Sequence, residues 1–560
     1  MKFLPTKFSY SMLFAIGVAV LALLTTYKRL FYGVDFTDES FYTGIPYEFV
    51  LGNRPFIDEL NFLTFPSLLL YPVIKLYFLF NEGTDGIILF NRHLFLLFFL
   101  LVAFTVFIVS RRIVSSQAAV IIAASSIAFI PLNIPALGYN TMSSGFLTIG
   151  LLLSYYAVFH EKKGLPFLLA GLSLGLAVIS YPTIIIPFVI FSIILLIILA
   201  KKSIIKNFGF FVIGSLIAAV PVLIIMWKAG LDHVLYFVEN LGYVGIQGGS
   251  GYKLIEETYL WFSNYPNKWV ILIAIILVVI LYYKKSFLYS FLLLLLPLFS
   301  YKFGFDSGKS LTSQSQIVVV NYSVLFLLLF FIHVKDKKIR YMGSLIFLPS
   351  LLAGLTYMWS SSNGYIASGL GLFPACIATS LAIVYSIENS QMNVKWRTLV
   401  SILAPLTLII YLVLAQQNHV YRDQDIQHLT SKVTFGPYKG LYTTPEKIIF
   451  MEQLSDDLIK QSKDSKSVFF YNHFPGGYLF SGLKPGGNTI WIFYYSKNRY
   501  IHVDYYENNN QPDVIFRMKN LFDKTLLPLR YYKKDELNNF VKENYIIEDS
   551  NEYYDVLKKK

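Results

Sequence analysis

Two Asp-Glu pairs stand close together near the start of the chain: Asp38-Glu39 and, twenty residues on, Asp58-Glu59. They belong to a segment, roughly residues 28–87, that also carries Asp35, Glu48, Glu82 and Asp85. Arg92 follows shortly after, beside Asn91. A carboxylate held at a lipid–water boundary can act as general base toward a hydroxyl. Two or three carboxylates together can hold a divalent cation. An arginine at the same depth suits a phosphate, which pairs with the planar guanidinium. Asp38 and Glu39 are therefore the candidate catalytic acids, and Asp58 and Glu59 a second pair that binds a metal or orients an acceptor. Arg92 is the candidate phosphate ligand. A divalent metal, if one is held, falls to Asp38, Asp58 and Glu59; no other cofactor is implied. Tyr42, Tyr139, Asn140, Asn363, Tyr438 and Lys439 are candidates to line the same site. Tyr438-Lys439 sits in an unusual run of turn formers and aromatics, Gly436-Pro437-Tyr438-Lys439-Gly440.

Such acids need elements to position them, and the composition says which. The chain has 560 residues, 55% hydrophobic and only 14% charged, with a mean hydropathy of +0.55. A soluble domain usually carries about 25% charge, so this surface is built for lipid. Soluble enzymes, disulfide scaffolds and disordered proteins are excluded. The single cysteine, Cys376, allows no disulfide framework or thiolate metal cluster. A transmembrane helix needs about 20 mostly apolar residues. Such runs fall near 10–27, 88–109, 117–134, 141–159, 165–181, 182–200, 207–227, 269–283, 286–301, 317–333, 341–359, 365–386 and 397–415. About thirteen spans are expected, the first a retained signal anchor. The stretch 65–80, interrupted by Pro66 and Pro72, reads as a helix along the interface.

With Met1 inside, the inner segments hold seventeen basic residues against three acidic ones, whereas the outer segments up to residue 415 are net acidic. The formal net charge of +13 is thus a positive-inside signature, and no nucleic-acid partner is needed to explain it. An odd number of spans places the polar tail, 416–560, outside. The tail reads as α/β: a helix opening after Thr444-Pro445, then β-rich runs at Val468–Tyr471, Ile490–Phe493 and Asp513–Phe516. The expected organisation is a membrane domain over 1–415, whose first outer loop (28–87) holds the chemistry, and an extracytoplasmic α/β domain over 416–560. The location is a plasma membrane, the inner membrane in a bacterium.

Other motifs fail. The run Gly304-Phe305-Asp306-Ser307-Gly308-Lys309-Ser310 is one residue short of a phosphate-binding P-loop. The eight histidines make no HExxH. Gly248-Gly249-Ser250-Gly251 is a flexible loop tip that could cover a site. Cys376 reads as a small packing residue.

Taken in order, Asp38-Glu39-Ser40-Phe41-Tyr42, then Gly52-Asn53-Arg54-Pro55-Phe56-Ile57-Asp58-Glu59, then Arg92, the first 95 residues resemble membrane glycosyltransferases of the GT-C class. The nearer likeness is to the protein O-mannosyltransferase and lipid A aminoarabinose transferase superfamily, whose bacterial members share the span number and the extracytoplasmic α/β tail. Where that superfamily usually carries a Lys-Pro-Pro-like stretch, this chain has Thr64-Phe65-Pro66-Ser67, so its lysine contact to donor phosphate has no counterpart. The resemblance implies a sugar donor on a polyprenyl phosphate and an acceptor hydroxyl on lipid, glycan or protein. It implies inverting transfer with Asp38 as base and Arg92 on the departing phosphate. Two other readings fit a polytopic membrane protein: a polysaccharide polymerase or ligase, and a lipid-linked sugar transporter or flippase. The near absence of ionisable residues in mid-span speaks against a transporter. The early Asp-Glu pair and the long tail speak against a polymerase.

Overall fold

A computed structural model of the chain describes all residues except 1–9, 161–163, 241–250, 264–267, 285, 287, 296–312, 418–419, 472, 492–501, 507–510 and 520–535. The apolar runs become helices, because a segment crossing lipid must satisfy its own backbone N–H and C=O groups. In chain order these begin with α1 (Tyr10–Arg29), followed by two helices on the side of the tail, α2 (Asp38–Val50) and α3 (Thr64–Tyr77). The bundle continues through α4 (Ile87–Ser110), α5 (Ser116–Ala128), α6 (Tyr139–Phe159), α7 (Leu165–Ser180), α8 (Ile185–Lys201) and α9 (Lys206–Ala229). Two amphipathic helices, α10 (Leu231–Asn240) and α11 (Gly251–Ser263), lead into α12 (Lys268–Tyr283). The last four spans are α13 (Gln314–Ile332), a helix over 337–360 that passes through a π-turn at 343–347, α14 (Ser368–Glu388) and α15 (Val394–Gln417).

Among the described residues, nine helices are long and apolar enough to cross a membrane, and three shorter apolar ones cover Ser116–Ala128, Leu165–Ser180 and Leu272–Tyr283. These twelve match twelve of the expected runs. The thirteenth, 286–301, lies partly outside the described residues. The chain is a polytopic α-helical membrane protein with a strand-containing C-terminal part. Its central span, 364–388, is 94% buried and rich in small residues. A methyl on Gly371 would stand 2.4 Å from the backbone nitrogen of Gly354, the close approach that small residues allow between membrane helices. Cys376 lies fully buried on this helix, a packing residue.

The tail folds over the end of the bundle. A two-residue antiparallel pair, β1 (Ser431–Lys432) with β2 (Tyr442–Thr443), precedes α16 (Pro445–Ser462). Then come β3 (Ser467–Tyr471), α17 (Gly476–Ser481), β4 (Lys484–Pro485), β5 (Val514–Met518), α18 (Glu536–Asn544), β6 (Tyr545–Ser550) and β7 (Tyr554–Lys559). The five-stranded sheet runs in the order β4-β3-β5-β7-β6, with β3 parallel to both neighbours and β7 antiparallel to both of its own. Two of the three expected β-rich runs are strands. Ile490-Trp491 is irregular instead and packs along α2, with the Trp491 ring 3.8 Å from that of Phe41; residues 492–493 are outside the described set.

One core crosses from the bundle side into the tail. Val34, Phe36 and Phe41 are buried in the same cluster as Phe450, Phe474 and Tyr478, and the Phe36 ring touches those of Tyr438, Phe450 and Phe474 at 5.3–5.5 Å. The backbone joins too: Gly33 N–H donates to the Tyr442 carbonyl at 2.8 Å, and Tyr442 N–H to that of Phe31 at 2.7 Å. Gly33 has φ +93°, and a methyl there would lie 2.1 Å from Val420, so both conformation and space require glycine.

Candidate functional site

The start of α2 carries the first acidic pair, and Asp35 sets it. The Asp35 carboxylate accepts the N–H groups of Thr37 and Glu39 (both 2.9 Å) and the Thr37 hydroxyl (2.5 Å), satisfying donors that the first turn leaves open. Burial pushes the Asp35 carboxyl up, against the pull of Arg422 and with a push from Asp38. With the cap made by Asp35, Asp38 in the first turn is free for other partners and stays partly exposed. Its Oδ2 accepts from the Tyr421 hydroxyl at 2.5 Å and pairs with Nη2 of Arg422 at 3.1 Å. The Asp38 side chain keeps 15% of its exposure and that of Arg422 28%. Arg422 also donates to the Thr37 hydroxyl, and its backbone is left-handed at φ 51°, a conformation costly for a side chain this large. Burial lowers the Arg422 guanidinium, but Asp38, Tyr421 and Asp35 together hold it above its ordinary value. Tyr42, one turn along α2, is pushed up by burial, then by Tyr139 and Asp38. Its hydroxyl therefore stays protonated and able to donate.

Behind Asp38 the aromatic wall continues into the bundle. The Tyr42 ring meets Tyr139 at 5.4 Å, Tyr139 stacks on Tyr181 at 5.7 Å, and Tyr181 lies 4.3 Å from Tyr357. Asn140 is buried beside Tyr139. Gly138 makes room for this wall, since a methyl there would sit 2.4 Å from the Tyr42 ring.

Glu39 points the other way. Its carboxylate takes Nε and Nη2 of Arg92, both at 2.6 Å. Arg92 spends its remaining N–H groups on the carbonyls of Leu30 (2.7 Å), Tyr32 (3.1 Å) and Gly33 (2.8 Å). All five donors are used, and both side chains are 2% exposed. Arg92 ties the end of α1 and the start of α2 to α4. A second buried tie runs to the tail: Lys447 Nζ pairs with Asp423 at 3.3 Å and donates to the carbonyls of Val34 (2.7 Å) and Arg422 (2.9 Å). Burial lowers the Lys447 amine and Asp423 raises it, the net direction being down.

The second acidic pair gathers at the far end of α2. Asp58 accepts the N–H, Nε and Nη2 of Arg54 at 2.8, 3.0 and 3.0 Å. Burial raises the Asp58 carboxyl, but these bonds outweigh it and leave the group below the usual carboxylate range. Glu59 accepts the backbone N–H of Asn61 (2.8 Å) and of Ile490 (3.0 Å) and faces Glu48. Burial, then the charge of Glu59, holds the Glu48 carboxyl well above its ordinary value. Asn53 Nδ2 donates to Glu48 at 2.9 Å.

No protein-family model matches the chain, and no curated protein matches it in sequence. Among solved structures it is similar to the oligosaccharyltransferase AglB from Archaeoglobus fulgidus in complex with an inhibitory peptide and a dolichol-phosphate. There the identity is 12% and the TM-score 0.47, over 90% of this chain and 69% of that one. The apo form of the Archaeoglobus enzyme gives 12% and 0.46 over the same shares. ArnT from Cupriavidus metallidurans, bound to undecaprenyl phosphate, gives 11% and 0.41 over 97% of each chain.

The sequence candidates thus divide. Asp38, Tyr42, Tyr139 and Asn140 share one region. Tyr438 is buried beneath it, its hydroxyl 2.5 Å from that of Ser40. Lys439 pairs with Asp85 at 3.2 Å on the surface, and Asn363 occupies an exposed turn closed on Ser361. Asp38 and Glu48 are ten residues apart on α2, about 15 Å at the rise of a helix, and Asp58 and Glu59 gather at the Glu48 end. Each of the three carboxylates expected to share a metal is committed to other partners, and among the described residues no three His, Cys, Asp or Glu side chains converge as a metal site. Residues 248–250 and 304–310 lie outside the described residues. Sequence reasoning missed Tyr421 and Arg422. Their one signal is position: an aromatic–arginine–aspartate run immediately after the last span, Tyr421-Arg422-Asp423.

Proposed function

We propose that this chain is an inverting membrane glycosyltransferase that moves a sugar from a polyprenyl-phosphate donor to an acceptor hydroxyl on the extracytoplasmic face. The observation that carries the reading is the setting of Asp38: a partly exposed carboxylate in the first turn of α2, among the phenols of Tyr42 and Tyr421 and the guanidinium of Arg422. In this reading the acceptor hydroxyl gives its proton to Asp38 as its oxygen bonds to the anomeric carbon. The bond from that carbon to the phosphate oxygen breaks on the opposite face, which inverts the centre. The departing lipid phosphate carries the charge away, and Arg422 meets it. Arg92 has no N–H to spare, so its part is to hold α2 through Glu39. Fixed donors in a site of low dielectric stabilise such charge more than water does. A lipid-borne donor brings its own leaving group and needs no nucleotide-binding fold. Polymerase or ligase activity would use the same donor class; the site offers no observation favouring it.

The test is transfer from a purified polyprenyl-phosphate sugar to membrane extract in detergent. Asp38→Asn should lower turnover by about 10² to 10⁴, the usual worth of a general base, with the melting temperature kept. Near-normal turnover would remove Asp38 from the mechanism.

A further inference from the structure

Away from Asp38, the tail side of the molecule holds a pocket of about 370 Å³ that the proposed reaction does not use. Three segments build it: the loop after α2 gives Arg54, Phe56 and Leu60, α10 gives Tyr236, and the helical turn at 502–506 gives Asp504 and Tyr505. The volume lies in the range of small-ligand sites. Apolar packing lies beneath it. Phe56 is fully buried, and its ring stands edge-on to those of Phe65 (5.3 Å) and Phe237 (5.0 Å). Phe56 is also held at φ 66°, a conformation seldom accepted by an aromatic residue. Its rim is polar. Tyr236 donates to Asp504 at 2.7 Å, bridging α10 and the tail. The Tyr505 phenol is pushed up to about 12 by burial, then by Asp58, and so remains a neutral donor.

The charges select the ligand class. Asp58 cancels the charge of Arg54 through two side-chain bonds, and the other acid in the lining, Asp504, accepts from Tyr236. No net positive charge remains to hold a phosphate or carboxylate, and the polar rim does not suit a lipid tail. A ligand with an apolar face for the rings of Tyr236 and Tyr505 and a ring of neutral hydroxyls for the polar rim is a sugar. We infer that this pocket is a saccharide subsite for the acceptor. It adjoins Arg54 and Asp58, at the end of α2 about 15 Å from Asp38, too far for the sugar held there to supply the attacking hydroxyl. The acceptor is then an extended glycan, gripped at one unit and glycosylated at another. This inference rests on the proposed transferase reading for the word acceptor, but not for the binding itself.

Saturation-transfer NMR on the full-length protein in detergent, with the methyl glycosides of mannose, galactose and N-acetylglucosamine as probes, tests it. Wild type and Asp38→Asn should both saturate at least one glycoside. Tyr505→Ala should weaken that signal about tenfold, the worth of roughly 1.4 kcal/mol of stacking and hydrogen bonding. Tyr236→Phe, which removes one hydroxyl and leaves packing intact, should give a smaller loss and guards against misfolding in the larger change. In the transfer assay both variants should raise KM for a glycan acceptor and leave KM for the donor unchanged. Absence of saturation for all three probes in wild type, or equal saturation in wild type and Tyr505→Ala, overturns the subsite. Full transfer by Asp38→Asn with glycoside binding intact would overturn the base assignment alone.

Discussion

At the scale of single residues, two arginines of similar sequence standing have opposite surroundings. Arg92 is enclosed, with every donor bonded. Arg422 keeps more than a quarter of its side chain exposed beside Asp38. Their substitutions should therefore separate. Arg422→Gln is expected to raise KM for the lipid-phosphate donor and to lower turnover by about tenfold or more, in line with losing a charge-assisted hydrogen bond of roughly 1.5–3 kcal/mol. Arg422→Lys should recover part of the charge but not the planar pairing. Arg92→Met leaves Glu39 as a buried, unpaired carboxylate and should cost about 3–5 kcal/mol of stability, read as a fall in melting temperature without a specific change in donor KM. A donor-KM effect in Arg92→Met at full stability would return the phosphate to Arg92. Residue type alone made Arg92 the natural phosphate ligand. What the sequence could not display is that α1, α2 and α4 meet around it and consume its donors. Asp38 was legible because acids crowd a short stretch beside a span; Tyr421 and Arg422, 383 and 384 positions further on, reach it only through the fold.

At the scale of elements, α2 carries the first acidic pair at its start and, near its end, Glu48, around which the second pair gathers, and it was not visible as a helix. Its sequence, Asp38 through Val50, has no apolar stripe and contains Pro46, because it is covered on nearly every side by the tail and the bundle and has no solvent face to mark with polar residues. Long apolar spans were legible for the opposite reason: lipid demands a uniform run. The covering has a consequence at the far end of α2, where Glu48 and Glu59 are buried together. Desolvation raises both carboxyls, so the folded state holds protons that the unfolded chain releases in the ordinary carboxylate range. Between that range and the raised folded values, the native state binds more protons, and stability falls as pH rises. Glu48→Gln imitates the protonated carboxyl and keeps the bond from Asn53 only as an amide contact. Melting temperatures measured from pH 5 to 9 should decline for wild type and stay flatter for Glu48→Gln, with the variant at least as stable at the alkaline end. Parallel curves for the two proteins would mean that Glu48 carries no proton in the native state.

At the scale of the whole molecule, the division into bundle and tail is a division of sequence more than of packing. The composition changes after α15, but Phe36 from the first loop is packed into the tail, and the buried Lys447–Asp423 pair reaches back to the carbonyl of Val34. Asp38 meets Tyr421 and Arg422 of the tail, so the sidedness of the tail is the sidedness of the proposed chemistry. We propose from the charge distribution that this side is outside: with Met1 taken as inside, the inner segments carry seventeen basic residues against three acidic ones, the bias that orients membrane insertion. The chain offers a clean way to check, since Cys376 is its single cysteine and is fully buried in the central span, out of reach of aqueous thiol reagents. A second cysteine can therefore be read without background. Asp464→Cys lies on an exposed turn after α16, and Lys201→Cys at the exposed end of α8; both are far from the residues of the site in the chain. A membrane-impermeant maleimide applied to intact cells should label Asp464→Cys fully and Lys201→Cys only after the membrane is opened. The unsubstituted protein should take no label in either condition. The reverse pattern would turn the molecule over, place Asp38 on the cytoplasmic face, and remove the outer-leaflet lipid-phosphate sugar as its donor.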